Sequence, residues 1–88
     1  MSYQVLIKRK IERNLYKLPI QIQQKLAVLL CDLRDSGPIQ PRWPNYSKLA
    51  KETYHCHLGN SWVACWKSKN KEVIIEIYYV GSRENAPY

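Results

Sequence analysis

Apolar and polar positions change period along this chain, and each change marks an element. Tyr3 to Lys8 alternates, placing Tyr3, Val5 and Ile7 on one face, the pattern of a strand. Lys8 to Lys17 shifts to helical spacing, with Ile11 and Leu15 four apart, and predicts a short basic helix that Leu18-Pro19 interrupts. From Ile20 to Asp35 the residues Ile22, Leu26, Leu29, Leu30 and Leu33 form one stripe, the clearest helix of the sequence. Pro19 suits its first turn and Ser36-Gly37-Pro38 ends it. Residues 36–50, punctuated by Pro38, Pro41 and Pro44, read as a loop. Thr53 to Leu58 and Trp62 to Lys67 then flank Gly59-Asn60-Ser61, a hairpin by composition. Ser68-Lys69-Asn70-Lys71 makes a second turn, Glu72 to Val80 a long strand, and Gly81 ends it before the tail 82–88.

The order β-α-α-β-β-β predicts an α+β fold in a single domain over residues 1–88, with a two-helix hairpin on one face of a small, mainly antiparallel, curved sheet. Two amphipathic helices cover only one face of such a sheet, so the other meets solvent or a ligand. A three-residue turn at 59–61 sets His57 opposite Val63 and His55 opposite Cys65. On the last strand Val73, Ile75, Ile77 and Tyr79 form the apolar set expected under the helices. That assignment leaves Ile74, Glu76, Tyr78 and Val80 on the open face with His55 and His57.

Composition sharpens this picture. A net charge of +7, from 14 Lys and Arg against 7 Asp and Glu, favours a polyanionic partner over a neutral one. With 45% hydrophobic residues, three Trp and seven Tyr, the chain can build a core, and disorder is not expected. No apolar run reaches the roughly 20 residues of a membrane span, and the first residues lack a secretory pattern. Cys31, Cys56 and Cys65 are odd in number and show no framework spacing, so a reducing cytoplasm is expected.

The only two histidines occur as Tyr54-His55-Cys56-His57-Leu58. One residue apart in a strand, both imidazoles leave the same side. Histidine exchanges a proton near neutrality, and a pair on a polar face of a basic protein points to acid–base work on a phosphate. Glu76 on the same face is expected to fix a tautomer and raise a histidine pKa. Rival readings are an ordinary solvated sheet face, a metal site of His55, His57 and Cys65, and a Cys65 thiol nucleophile beside His55. Zinc needs a second ligand pair, which the spacing does not offer, and small strand cysteines are more often buried hydrophobes.

The chain resembles the RelE/ParE toxin superfamily, the small toxins of bacterial and archaeal toxin–antitoxin pairs. The resemblance spans nearly the whole length. It rests on the opening strand Tyr3-Gln4-Val5-Leu6-Ile7, the helical hairpin with Lys17-Leu18-Pro19 at its corner, Lys48-Leu49 leading to Tyr54-His55-Cys56-His57-Leu58, and the close Glu72 to Arg83 followed by Tyr88. A RelE-like member is implied to be a metal-independent endoribonuclease, with no small-molecule cofactor, that cuts messenger RNA on the ribosome and is held by a cognate antitoxin. In that family paired lysines match His55 and His57, an arginine after the last strand matches Arg83, and a C-terminal tyrosine matches Tyr88. These four are the implied catalytic set, with Lys48 and Lys51 placed to hold the RNA backbone. A further family arginine falls on Val63, which removes one phosphate clamp. The same fold also serves ParE-like gyrase inhibitors and non-catalytic RNA binders, the alternative functions.

Overall fold

The computed structural model describes residues 2–69, 71 and 73–88. Its elements are strand β1 (Gln4–Ile7), helix α1 (Arg9–Asn14) continued by a single 3-10 turn (Leu15–Lys17), and helix α2 (Ile20–Ser36). Strands β2 (Ser47–Ala50), β3 (Thr53–Gly59), β4 (Trp62–Lys69) and β5 (Ile74–Ser82) follow. The sheet runs β1-β5-β4-β3-β2. Among the described residues the β1–β5 pairing is parallel and the other three are antiparallel. The α+β architecture expected from the pattern is the one observed, with one strand more. The hydrophobic stripe of α2 buries Ile22, Leu26, Leu29 and Leu33 against Tyr54, Cys56, Leu58, Ala64, Trp66, Ile75 and Ile77. Among the described residues no helix is long and apolar enough to cross a membrane.

The Pro-rich stretch after α2 is tied into this core. Gly37 follows the helix at φ 91° and donates its amide to the Leu33 carbonyl, and the Tyr3 amide donates to the Arg34 carbonyl, so backbone groups satisfy two of the carbonyls at the end of α2. The buried Gln40 amide donates to the Asp32 and Gly37 carbonyls at 3.0 and 2.8 Å. The Trp43 indole donates to Asp32 Oδ2 at 2.8 Å, and the Trp66 indole donates to the Pro38 carbonyl at 2.9 Å. Tyr46 stacks on Tyr54, which stacks on Trp66, with ring centroids 6.1 and 6.3 Å apart. The end of this stretch is not loop: Ser47–Ala50 adds an edge strand to β3.

Three expectations change on β5. A bulge between Cys65 and Trp66 makes Tyr78 the extra residue, so Cys65 pairs with Tyr79 and Trp66 with Ile77. Beyond it the alternation inverts. Ile75 and Ile77 face the helices as expected, but Val80 packs on the core and Tyr79 turns to the helix-free face. Val73 is exposed instead of buried. The strand also continues through Gly81, which pairs with Val63, to Ser82. Its expected beginning at Glu72, and Asn70 of the second turn, lie outside the described residues.

Candidate active site

His55 pairs with Cys65 and His57 with Val63, as the hairpin register requires, and both imidazoles stand on the face away from α2. Their ring centroids are 5.7 Å apart, edge to face. The two rings differ in environment. His55 is 7% exposed, its Nδ1 lies 2.9 Å from Ser47 Oγ on edge strand β2, and the Tyr88 ring covers it at 4.6 Å between centroids. His57 is more open and lines a cavity of about 410 Å³ with Arg83.

Burial lowers the His55 pKa from its ordinary 6.5, the charge of His57 lowers it further, and a hydrogen bond to the Ser47 backbone opposes them. Glu76 takes no part. Its register partner is Lys67, and its carboxylate forms an ion pair with Lys69 at 3.1 Å, further along the strands. A serine hydroxyl therefore occupies the place expected of a carboxylate, and the shift is downward instead of upward.

A lowered folded-state pKa means the unfolded chain binds this proton more tightly. The stabilising contribution of neutral His55 is complete above pH 6.5 and is lost as the pH falls through the folded-state value. Melting temperatures measured from pH 8 to pH 5 are expected to decline below 6.5, and the decline should be shallower in His55→Gln. An identical decline in both proteins would contradict it.

Beneath the histidines this face has a small buried layer of its own, Val63 and Cys65, separate from the helix-side core. Burial pushes the Cys65 thiol up to about 11 and the Tyr78 phenol, which hydrogen-bonds it, up to about 12. A thiol that stays protonated near neutrality is a poor nucleophile, so the geometry speaks against the thiol reading.

The return of the chain is fixed where β5 ends. The Tyr79 hydroxyl donates to the Ser82 carbonyl at 2.7 Å, and the Arg83 amide donates to the Ser61 carbonyl at 2.8 Å. Gly81 permits this arrangement, since a Cβ there would lie 2.7 Å from the Tyr79 hydroxyl oxygen. Burial raises the Tyr88 phenol, Cys65 adds to the shift, and the charge of Arg83 opposes it, so the tail brings residues 83 and 88 to one neighbourhood.

His55, His57, Arg83 and Tyr88 thus gather on one side of the sheet. Lys48 and Lys51 do not join them. Lys48 pairs with the core-facing Tyr54, and Lys51 lies in the exposed turn after β2. Ser47, Lys25, Asn45 and Asn60 were not singled out from the sequence, whereas Trp43 in the Pro-rich loop stood out there as a residue to grip a partner or cap the core edge. Ser47 touches His55, and Lys25, Asn45 and Asn60 line the cavity with Trp43, His57 and Arg83.

The fold is the RelE toxin fold. No family model matches the sequence, and no curated protein matches it significantly. Solved structures do match. RelE of the archaeal RelE–RelB complex from Pyrococcus horikoshii OT3 superposes with a TM-score of 0.75 at 18% identity, covering 98% of this chain and 100% of the other. A mutant of the E. coli toxin RelE in the free state gives 0.74 at 17%, over 98% and 88%. The RelBE2 toxin–antitoxin complex of Mycobacterium tuberculosis gives 0.67 at 19%, over 94% and 100%.

Proposed function

We propose that this protein is the toxin of a toxin–antitoxin pair, a metal-independent endoribonuclease that cuts ribosome-bound messenger RNA and so stops translation. One observation carries the reading: two imidazoles on the helix-free face, one of them sharing a cavity with a guanidinium. Internal transfer at an RNA phosphate needs a base, a cation and an acid, and this cluster supplies them. The excess of cations suits an RNA partner. Similar folds are solved in complex with antitoxins, which supports an antitoxin as the resting partner.

In this mechanism neutral His55 is the base. With Nδ1 donating to Ser47 Oγ, its Nε2 presents a lone pair to the 2′-hydroxyl. The 2′-oxygen–phosphorus bond forms as the phosphorus–5′-oxygen bond breaks. Protonated His57 gives its proton to the departing 5′-oxygen. Arg83, a guanidinium cation, neutralises the phosphate oxygens and is the clamp that remains where the one at Val63 is lost. Tyr88, already against His55, swings to stack on a base, and Lys51, in the exposed turn after β2, holds a backbone phosphate further out, while Lys48 points to the other face of the sheet.

Ser47 is a positioning residue here. Ser47→Ala is expected to lower cleavage by roughly fivefold to tenfold, the equivalent of one hydrogen bond. It should also move the acid limb of the pH–rate profile, while Ser47→Thr retains both. An unmoved limb in Ser47→Ala would remove Ser47 from the mechanism. The proposal as a whole is tested by inducing the gene and following labelled-methionine incorporation. Incorporation should fall within minutes and recover when the product of the neighbouring reading frame is co-expressed. DNA damage with continuing translation would instead indicate the gyrase-directed alternative.

A further inference from the structure

We infer that the cavity beside His57 and Arg83 is a nucleotide subsite that reads the base next to the scissile phosphate. The inference rests on the ribonuclease reading and names the part of the substrate held there.

The cavity is built by four parts of the chain that are distant in sequence. Lys25 comes from α2, Trp43 and Asn45 from the loop before β2, and Asn60 from the β3–β4 turn, with His57 and Arg83 on the sheet side. Among the described residues its lining holds two cationic side chains, Lys25 and Arg83, and no carboxylate. A neighbouring hollow of about 490 Å³ shares Lys25 and Asn60 with it and also lacks a carboxylate. In a chain with 7 acidic residues, this absence marks a surface suited to phosphates. The volume of about 410 Å³ falls within the range of small-molecule sites and leaves room for one nucleotide.

Phosphate binding alone would not require the remaining lining. Trp43 offers an aromatic surface whose position is set by its bond to Asp32 and by its packing on the core. Every base has a face that stacks on such a ring. Asn45 and Asn60 bring side-chain amides, which donate and accept and so suit a base edge. The His57 amide donates to the Pro44 carbonyl at 2.8 Å, which binds the loop carrying Trp43 and Asn45 directly to the strand carrying the imidazole. Cation, imidazole, ring and amides are therefore held in one frame. A nucleotide whose phosphate meets Arg83 and His57 would place its base among Trp43, Asn45 and Asn60.

The test uses the purified full chain, uniformly labelled with nitrogen-15, titrated with the four nucleoside 3′-monophosphates and, separately, with inorganic phosphate. At least one nucleotide is expected to shift the Trp43 indole signal and the side-chain amides of Asn45 and Asn60, whereas phosphate should leave these unmoved. Asn45→Ala should weaken that nucleotide by roughly fivefold to tenfold. Asn45→Asp, which keeps size and backbone preference but adds a carboxylate, should weaken it further. The cut-site base preference of the Asn45 variants should change with their nucleotide affinity. Shifts absent from these three residues, or reproduced by phosphate alone, would overturn the subsite. Nucleotide binding here without messenger cleavage would support the subsite while removing the ribonuclease reading. Cleavage with base preference unchanged in Asn45→Ala would leave the ribonuclease and remove the subsite.

Discussion

His57→Ala is expected to reduce messenger cleavage by roughly 10²–10⁴-fold, the usual contribution of a general acid or base. His57 is more open than His55 and borders the cavity with Arg83, so in the proposed mechanism its ring meets the substrate, and it contributes little to the core. The variant should consequently fold and melt like the parent. Arg83→Ala should lose a comparable factor, and so should His55→Gln, because glutamine can keep the polar contact with Ser47 but cannot take up the proton. Cleavage rates on programmed ribosomes, with melting curves recorded on the same samples, separate chemistry from folding. A His57→Ala protein that is stable and fully active would exclude the acid–base pair.

The largest structural effect is expected at Trp66. This side chain is fully buried, joins the Tyr46–Tyr54 stack, and donates to the Pro38 carbonyl, so one residue fastens the sheet to the segment following α2. Truncating a buried tryptophan to alanine costs about 3–5 kcal/mol, against a domain stability of about 0.05–0.15 kcal/mol per residue. Trp66→Ala should therefore melt at least about 12 °C lower or fail to fold. Trp66→Phe keeps a ring but leaves the Pro38 carbonyl without its partner, and should lose about 1–3 kcal/mol. Thermal unfolding followed by circular dichroism decides this. A Trp66→Ala melting point within a few degrees of the parent would show that the segment is held by other contacts.

These expectations trace back to what the chain discloses before folding. The stripe Ile22, Leu26, Leu29 and Leu33 was readable because helical period and burial coincide over about three turns. The shared face of His55 and His57 was readable because alternation in a strand is strict; the expected pairs hold because a bulge between His57 and Gly59 offsets a turn one residue shorter than the expected 59–61, Gly59 itself pairing with Trp62. Tyr79 and Val80 were assigned to the wrong faces because a bulge inserts one residue without any glycine or proline to signal it. Strand β2 was missed because Ser47-Lys48-Leu49-Ala50 is short, lacks clear alternation, and follows three prolines. With it went the serine that contacts His55. The cavity lining was illegible for a different reason. Lys25, Trp43, Asn45 and Asn60 come from three elements, and only the closed fold sets them side by side. A single hydrogen bond from Trp43 to Asp32 helps fix that geometry, and nothing in the spacing of the two residues announces it.

The central claim is that the imidazole pair and Arg83 form a ribonuclease centre on the helix-free face. Mapping messenger 5′ ends across the transcriptome after a brief pulse of expression tests it most directly. New ends at a fixed position within codons, present with the parent chain and lost with His57→Ala and Arg83→Ala, are the predicted result. Growth arrest with intact transcripts, or the same new ends from the variants, would contradict it.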